Sequence, residues 1–310
     1  SRLALLKMIA GFSSEEHQAI YIVGGFVRDL ILERPSVDFD IVVEGDAISF
    51  AHALERKFGG RVVSHRRFGT AKWQIESIWS SLQAHLGFSK RAVVDFPDSL
   101  DFISARTEFY DHPSALPTVE RSSIKLDLHR RDFTINALAI SLNKPDYGTL
   151  IDPFDGIADL GRQIIQTPLA PAQTFSDDPL RMMRAIRFAS QLGFSIEQKT
   201  WEAIAESAKR ISIVSGERIA DELNKILLSK KPSVGFDLLY KSGLLQIIFP
   251  QMVELAGAEY IDGKGHKDNF YHTLQVIDNI SEHTNDLWLR WAAVLHDIGK
   301  PATKRFEEGH

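Results

Sequence analysis

A short apolar run, Ala19–Val23, ends in Gly24-Gly25, and this junction constrains the fold more than any other feature of the chain. The run favours an extended strand, and paired glycines directly after a strand mark a tight turn. Phe26–Leu32 then has helical spacing, and Phe39–Val43 is again β-branched and strand-like. The order is strand, glycine turn, short helix, strand. Glycine in such a turn lets backbone N–H groups approach a phosphate closely. Arg28, on the helix that follows, offers a charged fork for a triphosphate. Asp38 and Asp40 stand two positions apart at the next strand, which puts both side chains on one face. Two carboxylates on one face suit a pair of Mg²⁺ ions, and such a pair can activate an attacking hydroxyl and stabilise a leaving pyrophosphate. An Asp-x-Asp by itself is common at surface turns. Joined to a double glycine and an arginine it points to metal-assisted phosphoryl transfer. Asp101, in Leu100–Arg106, is placed either as a third carboxylate from a neighbouring strand or as an ordinary strand-end aspartate.

The rest of the first half continues this mixture. Ala47–Phe58 reads as a helix, and Arg61–Ser64, Ala71–Ile75, Ala92–Asp95 and Asp101–Ala105 read as strands, with Glu76–Lys90 as a long loop. From about Leu150 the character changes. Pro179–Gln191, Gln198–Ala208, Arg218–Leu228, Val234–Tyr240 and Tyr271–Ser281 all have helical periodicity. The expectation is an α+β head followed by an all-helical remainder.

Two further constellations carry chemistry. Arg130-Arg131-Asp132-Phe133-Thr134-Ile135-Asn136-Ala137 combines arginines that can contact triphosphate oxygens with a carboxylate that can accept a ribose hydroxyl. Asp177-Asp178-Pro179-Leu180-Arg181 is a good helix start, and capping accounts for one of its two aspartates. Arg181, Arg184 and Arg187 recur every three residues, drift slowly around one side of the helix and can clamp a triphosphate. Asp178 with Arg181 permits a sharper argument. Cytosine and adenine each present an amine donor beside a ring acceptor, whereas uracil and guanine present the reverse. A carboxylate and a guanidinium placed edge-on would accept C and A and leave buried groups unpaired against U and G, which is costly.

Composition bounds the alternatives. The chain has 310 residues, no cysteine and a formal net charge of −5. Disulfides and thiolate metal sites are excluded, and a generic basic nucleic-acid binder is disfavoured. Basic residues cluster locally nevertheless, as in Arg61, His65, Arg66, Arg67 and Lys72, which read equally as a solvated face or as a grip on RNA. No apolar run approaches the length of a membrane helix. A cytoplasmic protein without membrane association, and with no obligate protein partner evident, is the expectation.

These motifs, in this order over roughly residues 20 to 230, resemble the class II tRNA nucleotidyltransferase family, the bacterial CCA-adding enzymes and their poly(A) polymerase relatives. Gly24 to Asp29 with Asp38-Phe39-Asp40 resembles the family's metal and triphosphate motif, and Arg130 to Ala137 its ribose-contacting motif. Asp152-Pro153-Phe154-Asp155-Gly156 with Asp159-Leu160 resembles the connector between head and neck. Asp177 to Arg181 resembles the amino-acid template for C and A, with Asp177 where the family usually has Glu. Glu217-Arg218-Ile219 with Glu222-Leu223 resembles the helix behind that template. The resemblance implies a DNA polymerase β-like nucleotidyltransferase head over 1–148, a helical neck and body over 149–256, and nucleotide held between head and neck. It implies addition of CMP and AMP from CTP and ATP to the tRNA 3′ end, with poly(A) addition, or CC-only or A-only addition, as near alternatives. His272 and His296-Asp297 resemble the start of an HD phosphohydrolase domain, so 257–310 is expected to be a truncated HD domain without a complete metal site. An HD phosphohydrolase with an inactive head is the more distant alternative.

Overall fold

A computed structural model describes residues 1–36, 39–109, 118–144, 146–257, 260–261, 264–265 and 268–303. The chain divides into two compact units that part between Arg162 and Gln163. No described helix is long and apolar enough to cross a membrane.

In the first unit, α1 (Arg2–Glu15), β1 (Ala19–Val23), α2 (Gly25–Ile31), β2 (Asp40–Glu44) and α3 (Ala47–Phe58) lead into β3 (Arg61–His65) and β4 (Thr70–Gln74). Then come α4 (Trp79–His85), β5 (Ser99–Ser104), the hairpin strands β6 (Arg106–Phe109) and β7 (Thr118–Arg121), α5 (Ile124–His129), β8 (Ala139–Ser141), β9 (Leu150–Ile151) and α6 (Gly156–Arg162). Seven strands form one sheet in the order β3-β4-β5-β2-β1-β8-β9. Only the central pair, β2 with β5, runs parallel. Central position explains the composition of β2, whose Ile41, Val42 and Val43 are all buried. β4 lies nearer the edge and alternates, with Ala71 and Trp73 inward and Lys72 and Gln74 outward.

Both sheet faces are covered. On one, Phe50 of α3 meets Phe102 of β5 at 5.6 Å between ring centroids and Phe12 of α1 at 5.6 Å. On the other, Val23, Val42 and Ala139 pack with Ala105, Ile124 and Leu128. At six residues, α5 is too short to persist alone. Burial of Ile124 and Leu128, about 1.5–3 kcal/mol each, holds it to the sheet.

Three local expectations are corrected. Ala92–Asp95 is not a strand: Val93 is fully exposed and the segment joins no ladder. Glu76–Lys90 is not a plain loop, because it contains α4, which buries Leu82; Gln83 Nε2 then donates to the carbonyls of Ser89 and Ala92 and secures the turn beyond. The strand expected at Phe39–Val43 begins at Asp40 and runs to Glu44.

The second unit opens with the parallel pair β10 (Ile164–Ile165) and β11 (Ser195–Ile196). Around it come α7 (Pro171–Asp177), α8 (Leu180–Leu192), α9 (Gln198–Ser207), α10 (Gly216–Leu227) and α11 (Pro232–Lys241). Then follow α12 (Leu244–Ile248), α13 (Pro250–Val253), α14 (Asn269–Ser281) and α15 (Leu287–Leu295). The helical expectations agree with α8, α9, α10, α11 and α14 to within two residues at each end. An arginine joins several of them. Arg290 of α15 is 1% exposed and donates to the carbonyls of Leu227 and Ser229 at the end of α10. It also donates to Ser281, the last residue of α14, and to Thr284 and Asn285 beyond it. Carbonyls at a helix C-terminus lack intrahelical donors, so one guanidinium satisfies two helix ends at once. Arg290→Met should keep the side-chain volume but orphan these acceptors, lowering unfolding free energy by about 3 kcal/mol or more in urea titration. An unchanged midpoint would refute this role.

Candidate active site

The centre of the first unit's site is set by strand register. β2 and β5 run parallel with Asp40 directly opposite Asp101. Residues so paired in adjacent strands point to the same face, about 4.8 Å apart along the hydrogen-bond direction. The amide of Asp101 donates to the Phe39 carbonyl at 3.1 Å, which fixes the two strand starts together. Phe39 itself is buried and stacks on Phe26 of α2 at 4.5 Å, so the helix after the glycine turn is anchored to the residue preceding Asp40. Lys72, opposite Asp101 on β4, lies 3.4 Å from its carboxylate. Asp38 lies outside the described residues. Asp40 and Asp101 present hard oxygen donors side by side, the donor chemistry that Mg²⁺ takes.

The glycine turn and the arginine constellation, more than a hundred residues apart in sequence, meet here. Gly24 has φ +68, and a Cβ there would lie 2.8 Å from Nη1 of Arg131. Only glycine permits both that backbone and that approach. Arg28 is buried; its Nε and Nη2 meet Asp29 at 2.8 Å and its Nη1 donates to Asn136 Oδ1 at 2.8 Å. Asn136 in turn donates to Asp132, whose same oxygen accepts the Phe133 amide. Arg28 therefore braces the glycine turn against the Asp132–Asn136 segment.

Arg131 is oriented by a residue that the sequence reading did not single out. Asp127 on α5 is fully buried, with Arg131 Nη2 at 2.9 Å on one carboxylate oxygen and Arg130 Nη2 at 2.9 Å on the other. Burial alone would raise its pKa, but Arg131 and Arg130 outweigh that and hold it below the usual carboxylate range. The signal was present as i,i+3 and i,i+4 spacing, but it counts only if α5 forms.

The Asp152–Leu160 connector also folds onto this segment. Both oxygens of Asp152 accept backbone amides at the start of α6, from Gly156 at 2.7 Å and Ile157 at 3.0 Å. Thr134 Oγ1 donates to the buried Asp159 at 2.6 Å. A Cβ at Gly156 would lie 2.4 Å from the Thr134 carbonyl oxygen, so this glycine is required by close approach.

In the second unit, Asp178 both precedes and caps α8. Its Oδ1 accepts the Leu180 amide at 3.1 Å and its Oδ2 accepts from Arg218 Nη2 of α10 at 2.7 Å. Asp177 instead accepts from Gln173 at 2.6 Å. The capping aspartate is thus the one assigned to the base edge. Arg187 is paired with the buried Glu222 at 2.6 Å and lies 4.1 Å from the Phe188 ring centroid, while Arg184 lies 5.6 Å from the same ring. Arg181, Arg184 and Arg187 all stand on α8.

Near the end of the described residues, ligand atoms of His272, His296 and Asp297 lie within 4.8 Å of one another. His296 Nδ1 is 2.7 Å from the Ala293 carbonyl, which leaves Nε2 as the atom facing Asp297 at 3.1 Å. Lys300 Nζ is 2.6 Å from Asp297. Burial raises the Asp297 pKa, but Lys300, His296 and His272 together hold it below the ordinary value. The set can hold a divalent cation, with Lys300 in competition for the carboxylate.

Comparison with known proteins agrees with this layout. The poly(A) polymerase head domain family matches residues 20–166, the family described as probable RNA and SrmB-binding site of polymerase A matches 193–255, and the HD domain matches 269–310. An A-adding tRNA nucleotidyltransferase of Geobacter sulfurreducens is 40% identical over 255 residues, covering 81% of this chain and 26% of that protein. A CCA-adding enzyme of Anoxybacillus flavithermus is 34% identical over 294 residues, covering 94% of this chain and 63% of that protein. A solved CCA-adding enzyme, apo form II, superposes with a TM-score of 0.70 at 31% identity over 97% of this chain and 67% of that one. The first unit is a nucleotidyltransferase head, followed by helical regions. The chain belongs to the tRNA nucleotidyltransferase and poly(A) polymerase family.

Replacing Asp127 by Asn keeps the shape but leaves two arginines facing a neutral amide. Breaking a buried pair on one side costs about 3–5 kcal/mol, so the variant should melt well below the parent near neutral pH. Because the folded pKa of Asp127 is depressed, its contribution is present above the unfolded value of about 3.9 and is lost as pH falls through the folded one. The stability gap between parent and variant, measured by denaturant titration, should therefore shrink below about pH 4. A pH-independent gap would overturn the assignment.

Proposed function

We propose that this chain transfers CMP and AMP from CTP and ATP to the 3′ end of tRNA. The 3′-hydroxyl oxygen forms a bond to the α-phosphorus, the bond to the β-phosphate bridge breaks, and pyrophosphate leaves with the hydroxyl proton released. The observation that carries this reading is the in-register pair Asp40 and Asp101 beside the Gly24–Arg131 contact. Asp38 and Asp40 hold Mg²⁺ in this reading, with Asp101 as a third carboxylate. Bound there, Mg²⁺ supplies the positive charge that lowers the barrier to hydroxyl attack and to pyrophosphate departure. Gly24, Gly25 and Arg131 receive the triphosphate, and Arg28 keeps the turn in shape for it. The head over 1–148 does the chemistry. The helical part over 149–256 carries the Asp178/Arg181 base edge with Arg184 and Arg187, and 257–310 begins the HD domain.

The reading draws support from relatives named for tRNA nucleotidyl transfer and from solved CCA-adding enzymes described in complex with CTP and with ATP. The chain spans about a quarter of the Geobacter protein's length. A narrower reading, addition of A alone, is favoured by the 40% identity to relatives named A-adding.

One assay separates these. The protein is incubated with Mg²⁺ and tRNAs ending before CCA, after C or after CC, with each nucleotide supplied singly. Extension of the CCA-less tRNA by CTP together with extension of the CC-ended tRNA by ATP supports full addition, the first alone supports CC addition, and extension of only the CC-ended tRNA by ATP supports A addition. Asp40→Asn should abolish incorporation while tRNA still binds, and an active Asp40→Asn enzyme would overturn the metal assignment.

The base edge is tested better by Asp178→Asn than by alanine. Alanine also deletes the helix cap, worth about 1 kcal/mol, whereas Asn can still cap. The amide places a donor where the base amine needs an acceptor, so preference for CTP and ATP over UTP and GTP should fall in single-turnover competition. Unchanged selectivity would remove Asp178 from base recognition.

A further inference from the structure

Arg66 and Arg67 of the basic cluster have no part in the site described above. Arg66, Arg67 and Phe68 form a 3₁₀ turn joining β3 to β4, closed by Gly69 in the left-handed region at φ +60. The turn is held in place: Arg106 Nη1 donates to the Phe68 carbonyl at 2.8 Å, and the Ser104 amide donates to the Gly69 carbonyl at 2.9 Å. Ser104 Oγ accepts the first amide of α3, from Ala47, at 3.0 Å. These elements enclose a cavity of about 440 Å³ lined by Arg66, Arg67 and Arg106, with Ser104, Ser49 and Asp46 among its other walls. Ser104 is three positions along β5 from Asp101, so the cavity opens on the opposite face of the pleat, about 10 Å along the strand.

Among the described residues, Arg66 and Arg67 line it beside Arg106, with one carboxylate, Asp46. Asp46 Oδ1 is engaged in capping α3, accepting from Ile48 and Ser49. Arg2, Arg28, Arg130, Arg131, Arg162, Arg187 and Arg218 all have carboxylate partners. Among the described residues, Arg66 and Arg67 form no ion pair; Arg67 lies against the Phe68 ring at 5.8 Å. Two exposed arginines on a braced turn, without an ion pair among the described residues, match a phosphate in sign.

We propose that the Arg66/Arg67/Arg106 cavity is a phosphate-binding site separate from the Asp40/Asp101 centre, and that it takes a backbone phosphodiester of the RNA substrate away from its reacting 3′ end. This rests on the reading of the chain as an enzyme acting on RNA. An RNA longer than its reacting end offers phosphates at this range, and each neutralised phosphate contributes to affinity in a salt-dependent way.

The test is fluorescence anisotropy of labelled tRNA with the whole chain, from low to moderate salt, for the parent and for Arg66→Ala/Arg67→Ala. Affinity should fall roughly three- to tenfold at low salt, and the slope of log K against log salt should shallow by about 1 per lost contact. The doubly lysine-substituted chain, Arg66→Lys/Arg67→Lys, should keep most of the slope, since point charge is retained; circular dichroism melts confirm folding of both. Unchanged tRNA affinity and slope in the alanine variant overturn the proposal. Weakened binding of ATP with unchanged tRNA binding also overturns it, because the phosphate then belongs to a free nucleotide. Asp40→Asn run alongside keeps the two readings apart: a parent that incorporates nucleotide while the alanine variant binds tRNA normally leaves the proposed function standing and removes only the cavity.

Discussion

The approach of the Arg131 guanidinium to the backbone at Gly24 is the contact around which the head is arranged. It requires a glycine with positive φ at the end of β1 and an arginine held still behind it. A free arginine side chain carries about 2 kcal/mol of rotamer entropy, which an exposed site would have to overcome on every binding event. Asp127 removes most of that freedom before any ligand arrives, because its buried carboxylate grips Arg131 and Arg130 together. The cost is desolvation of an anion in the core, offset only because both guanidiniums are present. Under the proposed reading, electrostatic preorganisation of this kind places positive charge where the triphosphate sits, without reorganisation at the moment of reaction.

The carboxylate side follows from sheet geometry. An antiparallel β2–β5 pair would place opposite ends of the two strands together. The parallel pair instead brings two strand starts side by side, so Asp40 and Asp101 share one end and one face. Burial of both faces of β2, with Phe50 and Phe102 on one side and α5 on the other, makes that register costly to slip. The packing that stabilises the core is thus what aligns the carboxylates.

Much of this was legible because local chemistry was unambiguous. Ala19–Val23 followed by two glycines could be little but a strand and a turn, and α3, α8 and α9 showed in their periodicity. Asp101 was visible as a carboxylate in a strand, but its pairing opposite Asp40 depends on a crossover linking distant segments, and residue patterns do not encode register across such a gap. Asp127 was hidden for a related reason: it acts only through α5, which exists through tertiary burial of Ile124 and Leu128. Arg290 carried no signal in the sequence, since nothing local announces that the ends of α10 and α14 will meet it. α4 was obscured by weak periodicity, and Ala92–Asp95 was over-read because a β-branched run without a partner strand gains nothing from being extended.

In the second unit the decisive constraint is that Asp178 cannot turn. Two of the roughly four lone-pair positions on a carboxylate are taken, one by the Leu180 amide and one by Arg218. The remaining positions can accept a base amine without breaking either bond. A side chain free to rotate, or an amide free to flip, could present a donor or an acceptor as required and would tolerate either base pattern. A carboxylate pinned at both oxygens presents only acceptors, in one orientation. Under the proposed reading, discrimination against U and G then arises from the rigidity imposed by a helix cap and an ion pair, and not from an added repulsive group. The same pinning explains why the residue at a helix start can serve structure and recognition together: the cap fixes the direction in which the carboxylate reads.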